Sequence, residues 1–177
     1  MPSSAGNVRV SALFWSPGAG APMIAAQALT LEQGRGVSGD RYALGEGAYS
    51  RVEPVKDRHL TLITQEGIDT ANAWQQASGL APFSAALTRR NVVLEAMSAQ
   101  ALNDLVGQHF LIGPVLCEGL ELATPCERPS SLSGIPGFPE AFDARGGLRV
   151  RVLSSGTIEI GMGLVPGGLV PGGPAVV

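Results

Sequence analysis

Val8, Val10 and Ala12 alternate with Arg9 and Ser11, a period of two that predicts a half-buried strand at the start of the chain. After Trp15, residues 16–22 carry the prolines and glycines of turns, and a second apolar run spans Ile24 to Leu31. Gly34, Gly36, Gly39, Gly45 and Gly47 crowd the next stretch, which predicts a loop rather than a helix or a regular strand. Residues 59–64 return to strand character. Thr64 is then placed to cap a helix over residues 65–78, with Ile68, Ala71 and Trp74 on its buried face and Gly79 as its stop. Residues 91–95 form another short β-branched run, and Ser98 caps a two-turn helix bearing Leu102, Leu105 and Val106 and ending at Gly107. Residues 110–112, a Gly113-Pro114 turn and residues 115–122 read as β again. Leu148, Val150 and Val152 point inward and Arg149 and Arg151 outward. The turn at Ser154, Ser155 and Gly156, followed by Ile158 and Ile160, predicts a hairpin. Some seven short strands and two short mid-chain helices predict a mainly β, α+β architecture, a closed or strongly bent β-barrel with helical plugs. Strand and helix alternate too sparsely for a doubly wound parallel sheet.

Composition narrows the class. The 177 residues suit one domain, and 24 Gly with 13 Pro make it turn-rich. At 45% hydrophobic and 15% charged, with a mean hydropathy of +0.20, the chain is neither disordered nor a long charged helix. A net charge of −3 lacks the basic excess that non-specific nucleic-acid binding needs. The basic set is eleven Arg against Lys56 alone, a bias that fits either codon composition or guanidinium clamps for anions. The N-terminus lacks the charged start and apolar stretch of a signal peptide, and no apolar run is long enough to span a bilayer. Two cysteines make no disulfide framework, so a cytoplasmic location is expected, with no membrane and no nucleic-acid partner. Residues 164–168 and 169–173 repeat Leu-Val-Pro-Gly-Gly. Two copies are too few for a solenoid, and the tail over residues 164–177 is expected to be a frayed or docked terminus with no chemistry.

Several patterns bear on chemistry. Residues 34–39 match G-x-G-x-x-G, but Asp40, Arg41, Tyr42 and Gly45 cannot open the long helix that a dinucleotide site requires. An anion-binding or positioning loop using Arg35 or Arg41 and a purely structural loop both remain open. Cys117 and Cys126 stand nine apart and His59 and His109 are isolated, spacings unlike a structural zinc site. Cys117 lies inside an apolar strand and reads as a small buried hydrophobe. Cys126 follows Pro125 where the chain leaves its strand, two residues before Arg128. A thiol partly exposed beside a guanidinium favours the thiolate, the form that ligates metals or carries sulfur; an idle loop cysteine is the alternative. Arg89, Arg90 and Asn91 sit at a strand entrance, suited to a phosphate or carboxylate or else to a solvated protective edge. Lys56 is the one amine that could form a pyridoxal phosphate aldimine, and nothing near it in sequence would desolvate it.

Six segments together resemble the MOSC domain, the C-terminal domain of molybdenum cofactor sulfurases, which also occurs as small stand-alone bacterial proteins. They are residues 39–42 (Gly-Asp-Arg-Tyr), 59–66, 88–95 (beginning Thr-Arg-Arg-Asn), 105–113, 121–126 (ending Pro-Cys) and 146–153 with its closing hairpin. The resemblance covers about residues 8–163. It implies a barrel similar to that of the pyruvate kinase barrel domain, association with the molybdenum cofactor, and one cysteine that carries sulfur or ligates molybdenum. That cysteine corresponds to Cys126. Asp40, Arg41, Arg89, Arg90 and Asn91 fall on motif positions expected near the pterin and its phosphate. The family's pyridoxal phosphate label is not expected to apply to Lys56. The implied roles are sulfur delivery to metal–sulfur centres or molybdenum ligation. The alternatives are reduction of N-hydroxylated compounds and non-catalytic carriage of the cofactor, with a sulfur-donor or electron-donor protein as possible partner. Residues between Tyr42 and His59 are rich in charge and small side chains, so the mouth of the site is expected to differ from the family's.

Overall fold

The alternation at the start of the chain forms β1 (Arg9–Trp15) in a computed structural model that describes residues 7–167. The second apolar run breaks into β2 (Ile24–Ala26) and β3 (Ala28–Glu32), and the glycine-rich stretch contributes the two-residue β4 (Gly36–Val37). Then follow β5 (Leu60–Thr64), α1 (Gln65–Ala77), a 3-10 turn (Ala86–Thr88), β6 (Val92–Glu95), α2 (Ala99–Asn103), β7 (His109–Ile112) and β8 (Val115–Leu122). Two short helices, α3 (Arg128–Ser133) and α4 (Phe138–Ala141), precede β9 (Leu148–Val152), β10 (Gly156–Glu159) and β11 (Leu164–Pro166).

Eight strands make one sheet in the order β11-β7-β8-β9-β5-β6-β1-β2, antiparallel except for β5 with β6. This sheet curls until its ends approach: Val10 N donates to Met162 O at 2.9 Å and Leu164 N to Val8 O at 3.1 Å, so β1 meets the entry to β11. The expectation of a mainly β, strongly bent sheet holds. β10, β3 and β4 form a second, three-stranded sheet. Among the described residues no helix is long and apolar enough to cross a membrane.

Two expectations need correction. The hairpin expected from residues 148–160 does not form: β9 pairs with β8 and β5, while β10 pairs with β3. The serines between them explain why. Ser154 Oγ accepts from Leu116 N at 2.8 Å and Ser155 Oγ from Gln33 N at 2.9 Å, so the turn caps two other strands and carries the chain from one sheet to the other. Trp74 is not on the buried face of α1; Gln75 is, its Nε2 donating to Ala81 O and Pro136 O. Leu164–Pro166, at the start of the tail, docks as a strand against β7; the second repeat copy, residues 169–173, lies outside the described residues.

The caps at Thr64 and Ser98 form as expected, accepting from Gly67 N and Ala101 N. The main core fills the curled sheet with Leu60, Leu62, Val150, Phe110 and their neighbours. A smaller core lies on the other face, where Phe83, Phe138 and Phe142 pack edge-on and stacked against Ile68 and Ala71 of α1. The side chains of Thr61 and Arg149 face this second side, since Leu60, Leu62, Leu148 and Val150 around them point into the main core.

His59 immediately precedes β5 and binds the end of β9. Its buried ring accepts a hydrogen bond at Nδ1 from Val152 N at 3.1 Å, and Nε2 lies 3.8 Å from Asp57. Burial pushes its pKa below the ordinary value of 6.5; Asp57 opposes this and Arg151 adds to it. The fold therefore prefers the neutral ring, and the stability it contributes is complete above about pH 6.5 and is lost as pH falls toward the folded value. In urea titrations between pH 7 and 5, wild type is expected to lose up to about 1.4 kcal/mol per pH unit relative to His59→Asn, whose amide oxygen can accept the same N–H without titrating. Parallel pH dependences for the two proteins would show that His59 is not the titrating group.

Candidate functional site: an arginine-walled cleft with an exposed thiol

The cleft lies where one end of the large sheet meets the segment between Tyr42 and Arg58. Its floor is set by strand register: Arg149 of β9 sits opposite Thr61 of β5 and Glu121 of β8. Asn91 continues the floor, its backbone N–H donating to Thr61 O. Six guanidinium groups, from Arg41, Arg58, Arg89, Arg90, Arg128 and Arg149, line a cleft of about 700 Å³ including the solvent space at its mouth. Tyr42, Tyr49 and Cys126 complete its principal walls, and among the described residues no Asp or Glu lines it.

Each arginine is anchored differently. Arg89 follows the 3-10 turn at φ 62°, a left-handed conformation rare for a side-chain-bearing residue, and its Nη1 donates to Ala21 O at 2.9 Å. Its Nη2 is buried with no partner. Arg90 donates through Nε to Gly146 O at 2.7 Å and through Nη2 to Ala123 O at 3.3 Å, tying the strand entrance to the chain on either side of α3 and α4. Both have pKa values lowered to about 10, by burial first and then by neighbouring arginines: Arg41 and Arg128 for Arg89, Arg149 for Arg90. Both remain cationic at neutral pH. Arg58 is lowered too, by burial and then by Arg149, and its Nε is buried without a partner.

Two of the six are matched by carboxylates. Arg41 pairs with buried Asp40 at 3.1 Å, and Arg149 pairs at 2.6 Å with Glu121, which Lys56 also grips. Among the described residues Arg58, Arg89, Arg90 and Arg128 form no ion pair. Like charges on one cleft, partly desolvated and with unpaired N–H donors, are what an anion rich in oxygen acceptors would satisfy.

The cysteines differ as their neighbourhoods imply. Cys117 is fully buried in β8, where burial pushes its thiol up to about 12. Cys126 is exposed on the cleft wall, with its Sγ 3.5 Å from Tyr49 Oη.

Of the positions singled out from sequence, Arg41, Arg89, Arg90, Asn91 and Cys126 come together on the cleft. Asp40 stands behind it: Oδ1 accepts from Ser16 N at 2.9 Å and from Arg41 Nη1, and Oδ2 accepts from Tyr42 N at 3.2 Å. It holds Arg41 and Tyr42 in place instead of lining the cleft. Asn91 lines the floor, yet its amide is spent on the fold, accepting from Thr61 N and Oγ1 and donating to Phe14 O. The G-x-G-x-x-G stretch serves the chain itself. Gly36, at φ 105°, packs against the His59 backbone where a Cβ would collide with the carbonyl, and Arg35 turns away to Glu32 and Ala43 O. Lys56 does not line this cleft; its Nζ pairs with Glu121.

Tyr42, Tyr49, Arg58 and Arg149 were not singled out as site residues. Tyr42 belonged to a quoted motif, and the eleven-to-one preference for Arg over Lys was the available signal for the rest.

Comparison with known proteins fits this geometry. No curated protein matches the sequence significantly. Among solved structures, the fold is similar to the YuaD protein from Bacillus subtilis, with a TM-score of 0.71 at 14% identity, covering 90% of this chain and 94% of that one. It is also similar to YiiM from Geobacillus stearothermophilus, with a TM-score of 0.62 at 18% identity over 90% of this chain and 74% of that one. YiiM from Escherichia coli gives 0.60 at 17% identity over 89% and 69%. The sequence profile of the MOSC domain matches residues 35–164, most of the chain and every residue of the cleft from Arg41 to Arg149. The chain belongs to the MOSC domain family, a family associated with the molybdenum cofactor.

Proposed function

We propose that this MOSC protein binds the molybdenum cofactor in the arginine-walled cleft and uses Cys126 as the sulfur that carries a transferable sulfur atom or ligates the metal. The observation that carries this reading is the meeting of an exposed thiol with four guanidinium groups that have no carboxylate partner, on one cleft. The unpartnered Arg89 Nη2 and Arg58 Nε fit a phosphate-bearing anion, and a soft thiolate fits a metal already in a sulfur-rich shell. When bound, the cofactor supplies a redox-active metal centre that no side chain can provide. The protein's own part is to bind and orient. Arg89 and Arg90, fixed to backbone carbonyls at Ala21, Gly146 and Ala123, present their remaining N–H groups without rearrangement of the strand entrance. Arg41, held by Asp40, adds a cation whose direction is set before any ligand arrives.

This reading fits a reducing, cytoplasmic compartment, where an exposed thiol persists. It favours a role for Cys126 over mere carriage of the cofactor, because carriage needs the arginines alone. The test is molybdenum analysis and intact-mass measurement of wild type and Cys126→Ser, both purified from a host that makes the cofactor. Wild type is expected to hold molybdenum or a persulfide on Cys126, and Cys126→Ser to lose most of either. Equal molybdenum in both proteins would favour the carrier role; neither molybdenum nor persulfide in wild type would overturn the proposal.

A further inference from the structure

The cleft wall between Tyr42 and Arg58 is attached unlike the others. Its ends are fixed. At one end lie buried Asp40 and Arg41, with Leu44 N donating to Asp40 O at 3.0 Å and Glu46 N to Arg41 O at 2.8 Å. At the other end buried His59 accepts from Val152 N. Between these anchors, among the described residues, the backbone of residues 47–57 bonds only to itself: Ser50 N donates to Gly47 O and Val52 N to Tyr49 O. No side chain of this stretch enters either core, and residues 51–57 are all exposed, Val52 and Val55 included. Ala48 and Tyr49 face the cleft, while Ser50, Val55, Lys56 and Asp57 border a second cavity of about 620 Å³, including its solvent space, above Gly34 and Arg35. The stretch is a strap with space on both faces. Without a backbone ladder or apolar burial, it belongs to the least stable part of the fold.

Side chains alone hold the strap down. Gly47 passes so close over Tyr42 that a Cβ there would run into the ring, and the Arg58 guanidinium carbon lies 5.8 Å from the Tyr42 centroid and 5.1 Å from that of Tyr49. Tyr49 Oη lies 3.5 Å from Cys126 Sγ. Two ion pairs then cross to the sheet. Lys56 Nζ reaches both oxygens of Glu121 in β8, at 3.1 and 3.0 Å, and Arg151 of β9 donates through Nε to Asp57 at 2.9 Å. All four groups are between 39% and 46% exposed, so each pair is weak and screened by salt. Glu121 also holds Arg149 on the cleft floor, which places the fastening beside the site itself.

We propose that residues 47–57 are a strap that swings off the cleft as a unit, latched shut by the Lys56–Glu121 and Asp57–Arg151 pairs and released by salt. Opening carries Ala48 and Tyr49 away from the cleft and widens it, while Arg41, Arg89, Arg90 and Arg149 stay on their own anchors. The strap thus gives a ligand a way past a wall that is otherwise closed over the guanidinium groups. Its purpose rests on the proposed function of the cleft, but the motion is a property of the empty protein.

The test is therefore made without ligand. Limited trypsin digestion, read by mass spectrometry at low conversion, follows the open state as the initial rate of cleavage after Arg51 in the strap. Cleavage after Arg149, inside β9, follows unfolding of the sheet instead. Wild type is compared with Lys56→Gln/Asp57→Asn, neither of whose substituted residues lines the cleft. At about 20 mM salt the double variant is expected to be cut after Arg51 about threefold to tenfold faster than wild type, with the rate after Arg149 unchanged. At about 0.5 M salt, where screening acts over about 4 Å, the wild-type rate is expected to approach that of the variant. Taking the ratio of the two proteins at each salt concentration cancels the response of trypsin itself. Equal rates after Arg51 at low salt, a gap that persists undiminished at high salt, or a gap matched by cleavage after Arg149 would overturn the inference. None of these measurements involves the cofactor or Cys126, so failure here and failure of the cofactor reading are separate results.

Discussion

Asp40→Asn is expected to destabilise the protein by about 3 kcal/mol or more in urea or thermal unfolding, the cost of leaving one member of a buried ion pair alone. Both side chains of the Asp40–Arg41 pair are nearly inaccessible, at 3% and 7% exposure. The carboxylate also accepts the backbone N–H groups of Ser16 and Tyr42, which locks the end of β1 to the start of the cleft wall. Asparagine keeps the shape and one acceptor oxygen, but it removes the charge that offsets Arg41 beside a further cation, Arg89. The double variant Asp40→Asn/Arg41→Met separates charge from shape. If the pair is the cause, removing Arg41 restores part of the lost stability, and the double-mutant cycle gives a coupling of the order of 1–3 kcal/mol. A loss below about 1 kcal/mol for Asp40→Asn alone would mean that the backbone contacts, and not the buried charge, hold this corner.

Local physics made much of the frame legible. Thr64 and Ser98 each stand three residues before the backbone N–H they accept, and both caps form. The β-branched runs that became β5, β6, β8 and β9 are likewise short-range signals. Failures came where a local signal had two long-range uses. Ser154, Ser155 and Gly156 carry ordinary hairpin chemistry, yet their hydroxyls cap strands reached only through folding. Ile68 and Ala71 fixed the buried face of α1, but a polar residue, Gln75, completes it because α4 brings the Pro136 carbonyl within reach. The helices α3 and α4 went unread in a stretch of proline, serine and glycine, although proline at the first helical positions marks both.

The site divides the same way. Cys126 stood out by its place after Pro125 at a strand end, and Arg89 and Arg90 by their place before one. Arg149 could not be told from a solvated outward residue of β9, because the segment that turns its face into a cleft is contributed from Tyr42 to Arg58. Asp40 lies behind the cleft and Asn91 on its floor, and sequence could not show that their polar atoms are largely taken up by backbone partners.

Arg89→Ala is expected to separate binding from stability. The guanidinium is held at a desolvated position beside Arg41 and Arg128, conditions that lower its pKa to about 10 and disfavour its charge in the empty protein. Both residues lack the freedom of glycine at φ 62°, so the left-handed backbone costs the same before and after substitution. What is lost is one hydrogen bond to Ala21 O, worth about 1 kcal/mol, against relief of like-charge repulsion. Without ligand, the melting temperature of Arg89→Ala should therefore stay within a few degrees of wild type. Binding should respond far more. A charge-assisted hydrogen bond contributes about 1.5–3 kcal/mol, so the affinity for pyrophosphate measured by calorimetry should fall about 10- to 100-fold, and the stabilisation that pyrophosphate gives wild type should shrink accordingly. Arg90→Ala should behave differently, losing stability as well as affinity, because Arg90 ties Gly146 and Ala123 to the strand entrance. An Arg89→Ala protein that melts much earlier yet binds pyrophosphate as wild type does would assign Arg89 to the fold and leave the anion site to the remaining guanidinium groups.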